Sequence, residues 1–78
     1  MKITVIGAWG DIYANVNSIE DDGVSLLANS REDVCILSYG GDSELGNKAM
    51  KYARDMIISA NYYNKDNVLI NFYNFGEE

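Results

Sequence analysis

Histidine and proline are absent from this 78-residue chain, which holds one cysteine and one tryptophan. Without histidine, no side chain has an ordinary pKa near neutrality, so general acid–base catalysis of the usual kind lacks its main candidate. The lone Cys35 excludes an internal disulfide. It lies within Val34-Cys35-Ile36-Leu37 and reads as a small buried hydrophobe, which suits a reducing compartment. No serine or lysine stands in a recognisable nucleophile setting. The inventory therefore points to a non-enzyme with no cofactor and no metal. No apolar run approaches the roughly 20 residues of a membrane span. Met1-Lys2 leads directly into a strand with no hydrophobic signal region, so the expectation is a cytoplasmic protein without a membrane partner.

What the chain does have is acid. Twelve acidic residues face six basic ones, a net charge of −6. Residues 1–46 carry Asp11, Glu20, Asp21, Asp22, Glu32, Asp33, Asp42 and Glu44 against Lys2 and Arg31, whereas residues 47–78 are balanced. All of the net charge belongs to the first part of the chain. Such an imbalance bears on partners and solubility, not on fold.

Hydrophobic residues make up 47% of the chain, enough at this length for one domain over residues 1–78 with one core. Lys2 to Ile6 is a β-branched run stopped by Gly7-Ala8-Trp9-Gly10. Ile12, Ala14 and Val16 then alternate with polar residues, predicting a second strand with one buried face. Asp22-Gly23 between Ile19 and Val24 predicts a hairpin turn, with Val24 to Ala28 as the returning strand. Val34 to Tyr39, apolar at nearly every position, reads as a central strand covered on both sides. After Gly40-Gly41, Asp42 or Ser43 can cap a helix reaching about Tyr62, whose Leu45, Ala49, Tyr52, Ala53, Met56, Ile57 and Ala60 form one apolar stripe. Val68 to Phe75 is the last strand, with Val68, Ile70 and Phe72 on one face and Leu69, Tyr73 and Phe75 on the other. The expected fold is α+β, order ββββαβ, a mostly antiparallel four- to five-stranded sheet with one helix on one face. One helix covers one sheet face, so the other is expected to meet something.

Candidate sites follow from these placements. The opening strand and Gly7 resemble the start of a dinucleotide-binding motif, but Trp9 and Ile12 stand where its later glycines belong. Glu20-Asp21-Asp22 lacks the alternating ligands of a calcium loop. With Glu32 and Asp33, these residues read either as a solvated hairpin surface or as an acidic surface that imitates a phosphate backbone. Trp9 and Tyr73 are candidate aromatic anchors, with closure of one end of the core as the alternative for Trp9. On the helix, Lys51, Arg54, Ile58 and Tyr62 cluster opposite the core stripe beside Asp55, either as a plain solvent face or as a contact patch.

In size, acidity and layout across the whole chain, the protein resembles the small anti-CRISPR inhibitors made by phages against bacterial defence. No motif carries this resemblance and no residue is transferred from it. It implies a phage protein in the cytoplasm of a bacterial host, binding a protein or nucleoprotein complex stoichiometrically without itself binding nucleic acid. Acting as a DNA mimic is one route to that binding, and blocking a subunit contact is another. A different reading is a homo-oligomer, a homodimer for instance, that grips an anionic small molecule such as a nucleotide with Lys51 and Arg54.

Overall fold

The computed structural model describes residues 1–75. Among the described residues, six strands and one helix follow in the order β1 (Lys2–Ile6), β2 (Ile12–Tyr13), β3 (Ser18–Asp21), β4 (Ser25–Asn29), β5 (Asp33–Ser38), α1 (Ser43–Tyr62) and β6 (Asn67–Asn71). The α+β class holds, but the strands form two three-stranded sheets, β2-β1-β6 and β3-β4-β5, in place of the single four- to five-stranded sheet expected. The first and last strands pair in parallel, from Lys2 opposite Asn67 to Ile6 opposite Asn71. The other pairs are antiparallel.

The division into two sheets begins at Asn15. Its φ of 56° lies in the left-handed region, which asparagine tolerates better than most residues. The alternating run Ile12 to Val16 is therefore not one strand. Only Ile12 and Tyr13 pair with β1, after which the chain turns away and Val16 N–H donates to the Ile3 carbonyl at 2.9 Å. Val16 is buried, whereas Ile12 and Ala14 are exposed.

The strand over Val34 to Tyr39 also differs from expectation. β5 is an edge strand, not a central one, and Cys35 on it is exposed. Its consecutive buried residues, Ile36 and Leu37, arise from a bulge: Leu26 faces Leu37 while Leu27 faces Cys35, so Ile36 is the extra residue. A bulge redirects one side chain out of the strict alternation. Ile36 is thereby buried, and its carbonyl accepts from Ala8 N–H at 2.7 Å, joining the two sheets.

The helix spans both sheets and forms as expected. Asp42 caps it, its carboxylate accepting from Leu45 N–H at 3.1 Å. At the other end Asn64, with φ 54°, donates its N–H to Asn61 O, and Lys65 N–H reaches Ala60 O at 2.9 Å. This is a Schellman closure, with asparagine in the position glycine usually takes. Ala49, Ala53 and Ala60 are buried, with Leu45, Tyr52, Met56 and Ile57 packed on the core beside them. Val5, Leu26, Ile36, Ile70 and Phe72 are the largest fully buried side chains, each stabilising by about 1.5–3 kcal/mol. Beyond β6 the chain turns through Asn74, at φ 59°, so Phe75 does not lie on the face opposite Phe72. Its ring packs on both Phe72 and Tyr52, with centroids 5.4 and 5.6 Å away.

Candidate functional site

The five predicted acidic residues separate into two groups at opposite ends of β4. Glu20, Asp21 and Asp22 lie at the β3–β4 turn, and Glu32 and Asp33 at the β4–β5 turn, so the five-residue strand places about 17 Å between the turns. The structure instead joins the first group to the helix N-terminus through Tyr39. The Tyr39 hydroxyl donates to Asp21 Oδ1, and its carbonyl accepts from Asp42 N–H at 2.9 Å. Its ring lies on Gly46 in the first helical turn. Val24 O holds the same corner by accepting from both Tyr39 and Gly40 N–H. This corner therefore carries Asp21, Asp22, Asp42 and Glu44, all exposed, while exposed Glu20 lies on the other face of β3. The sole ion pair among the described residues, Lys51 with Asp55 at 2.7 Å, includes none of them.

These carboxylates are not equivalent. Asp22 Oδ1 accepts from Val24 N–H at 3.0 Å and Ser25 N–H at 2.8 Å, and the Ser25 hydroxyl adds a bond at 3.1 Å. Those backbone donors hold its pKa below the ordinary carboxylate value. The stability this provides is present above the ordinary value and disappears as pH falls through the lowered one. Asp21 Oδ1 also accepts from Gly23 N–H at 2.9 Å. Gly23, at φ 96°, occupies the first central position of the two-residue turn, which needs positive φ. Asp21 and Asp22 thus build the hairpin as well as charge it. Glu20 points from the opposite face of β3, in register with Leu27, and Asp33 accepts from Asn29 Nδ2 at 2.9 Å.

Trp9 and Tyr73 do come together. With Ile6, Gly10, Ile12 and Asn71 they line an open depression of about 420 Å³ at one end of the β2-β1-β6 sheet. Trp9 is 61% exposed, so it does not close the core. Ile12, 69% exposed, is the contact residue that sequence reasoning assigned to a buried face, and Asn15 is the signal that breaks that pattern.

The helix patch is exposed at all four positions, Lys51, Arg54, Ile58 and Tyr62. Lys51 is held by Asp55. Arg54 and Ile58 border a separate apolar groove of about 200 Å³ with Ile19, Met50, Ala53 and Ile57. Lys51 and Arg54 therefore do not converge on one cavity. Among the described residues no group of three or more His, Cys, Asp or Glu is placed to hold a metal ion, and no helix is long and apolar enough to cross a membrane. Comparison with protein-family models, curated proteins and solved structures finds no match to this chain.

Proposed function

We propose that the protein is a non-enzymatic inhibitor that binds a bacterial defence nucleoprotein complex of the CRISPR type stoichiometrically, presenting its acidic end to a basic nucleic-acid groove. The observation that supports this reading is the gathering of Asp21, Asp22 and Asp42 where the β3–β4 turn meets the helix, with Glu44 in the first helical turn and Glu20 on the other face of β3. Charges fixed on a rigid corner complement a cationic groove without first being ordered, and such complementarity chiefly raises the association rate. Glu32 and Asp33, on the other end, serve a second and separate contact.

The test uses purified CRISPR effector complexes as probes, binding measured by interferometry across a salt series and in competition with DNA. Affinity falls steeply with salt, and DNA displaces the inhibitor. Glu20→Gln with Glu44→Gln is the informative variant, because neither side chain builds the turn or the cap, and it slows association more than it speeds dissociation. Absence of stoichiometric binding to any complex, or binding indifferent to both salt and this variant, refutes the proposal.

A further inference from the structure

We propose that the peptide link from Asp22 to Gly23 is a site of spontaneous aspartate isomerisation, held back in the folded chain by the hydrogen bond from Gly23 to Asp21 and released when the β3–β4 turn opens. The inference does not depend on the inhibitor reading. Asp22-Gly23 is the sole Asp-Gly step in a sequence that has no Asn-Gly step, and residues 21–24 are all exposed. In such a step the glycine nitrogen attacks the aspartate Cγ. A C–N bond forms, the carboxyl hydroxyl and the amide proton leave as water, and the product is a five-membered succinimide. Water then adds back at one of the two ring carbonyls. Addition at Cγ restores aspartate, whereas addition at the main-chain carbonyl gives isoaspartate, in which the main chain runs through Cβ and Cγ. One water is lost and one regained, with no change of oxidation state. Glycine favours ring closure because no Cβ stands beside the attacking nitrogen.

The folded turn opposes this reaction at both reacting atoms. Gly23 N–H donates to Asp21 Oδ1 at 2.9 Å, so the nucleophile is tied to the preceding side chain and not to that of Asp22. The Asp22 carboxylate is engaged elsewhere. Its Oδ1 accepts from Val24 N–H at 3.0 Å and Ser25 N–H at 2.8 Å, and the Ser25 hydroxyl lies 3.1 Å from each of its oxygens. Those donors also keep the carboxyl ionised, whereas loss of water requires the protonated acid. Asp22 N–H to Ser25 O, at 3.1 Å, fixes the main chain around the link. Ring closure therefore needs these bonds to break, which a local opening of the exposed turn accomplishes without unfolding the core. Once isoaspartate forms, the added main-chain carbon shifts Gly23, Val24 and Ser25 away from the two carboxylates they hold. The turn then loses the bonds that build it, and Asp21 its fixed place beside Tyr39.

Ageing the purified chain at mildly acidic pH, in buffer and in guanidinium chloride, tests this. The tryptic peptide spanning residues 3–31 is mapped by electron-transfer mass spectrometry, which distinguishes isoaspartate at position 22 from aspartate. The folded native chain converts at least about tenfold more slowly than the unfolded one. Asp21→Ala, checked as folded by circular dichroism, converts about fivefold faster than native in buffer and at the native rate when unfolded. Asp21→Asn keeps an acceptor oxygen for Gly23 N–H and stays close to the native rate. Tyr39→Phe also stays close, because it removes the other bond to Asp21 and leaves the one to Gly23, which separates this local effect from overall stability. Ser25→Ala, acting only through its hydroxyl bonds to Asp22, is a second variant that converts faster than native should Asp21→Ala fail to fold. Equal rates for the native chain in buffer and denaturant overturn the proposal. So does a folded Asp21→Ala, or in its place a folded Ser25→Ala, that is no faster than native. A slower Asp21→Ala would make the Asp21 carboxylate a base for the Gly23 proton, the reverse of the role assigned.

Discussion

Gly46→Ala reverses the sign that helix propensity assigns to it. At an exposed interior helical position the change gains about 1 kcal/mol. Here a Cβ would lie 2.6, 2.7 and 2.8 Å from Cζ, Cε2 and Cε1 of Tyr39, well inside contact distance. The ring cannot simply swing aside, because Tyr39 is only 9% exposed and its hydroxyl is bonded to Asp21. Forcing a methyl group into such a site costs about 1–3 kcal/mol, more than propensity returns, so a net destabilisation of about 1 kcal/mol is expected. For a domain of this size that lowers Tm by about 4–8 °C. Urea denaturation followed by far-UV circular dichroism measures it, with Gly46→Ala also made in a Tyr39→Ala background. Without the ring the same change becomes stabilising by about 1 kcal/mol. A native-background Gly46→Ala that gains that amount refutes the contact and, with it, the tie between the acidic turn and the helix.

Three further outcomes follow from particular residues. The Tyr39 pKa is pushed up to about 12 from its ordinary 10.0 by the hydroxyl's bond to Asp21. Its contribution is therefore complete below pH 10 and lost by about 12, so the stability difference between the native chain and Tyr39→Phe closes across that window, alongside the phenolate absorbance isolated by the same pair. Asp42→Ala removes the helix cap and lowers stability by about 1 kcal/mol in urea titration, while Asp42→Asn or Asp42→Ser retains most of it. Cys35, exposed on an edge strand, reacts with a thiol reagent in the folded protein at a rate close to that of the unfolded chain. Cys35→Ser changes stability by no more than about 0.5 kcal/mol.

Local signals in this sequence were legible, and long-range ones were not. Asp42 and the apolar stripe marked the helix because capping and a 3.6-residue period act within a few turns. Asp22-Gly23 marked the hairpin for the same reason. Strand partners depend on residues far apart in the chain, so the pairing of β1 with β6 and the split into two sheets left no local trace. Two misreadings have specific causes. Asn15 in the left-handed region broke an alternation that looked continuous, and the bulge at Ile36 made an edge strand look covered on both faces. The acidic residues were found as residues, but their grouping was not. Tyr39 couples Asp21 to the helix cap across 18 positions, while β4 separates Glu32 and Asp33 from them.

The parallel pairing of β1 with β6 carries a consequence for how the protein is made. β1 leaves the ribosome before β6, and finds its long partner only after residues 67–71 have emerged. Until then Val5 lacks Ile70 beside it and Phe72 is missing from the core. A nascent chain that stops short of β6 is therefore a holding state, and the domain closes only once that strand has cleared the exit tunnel.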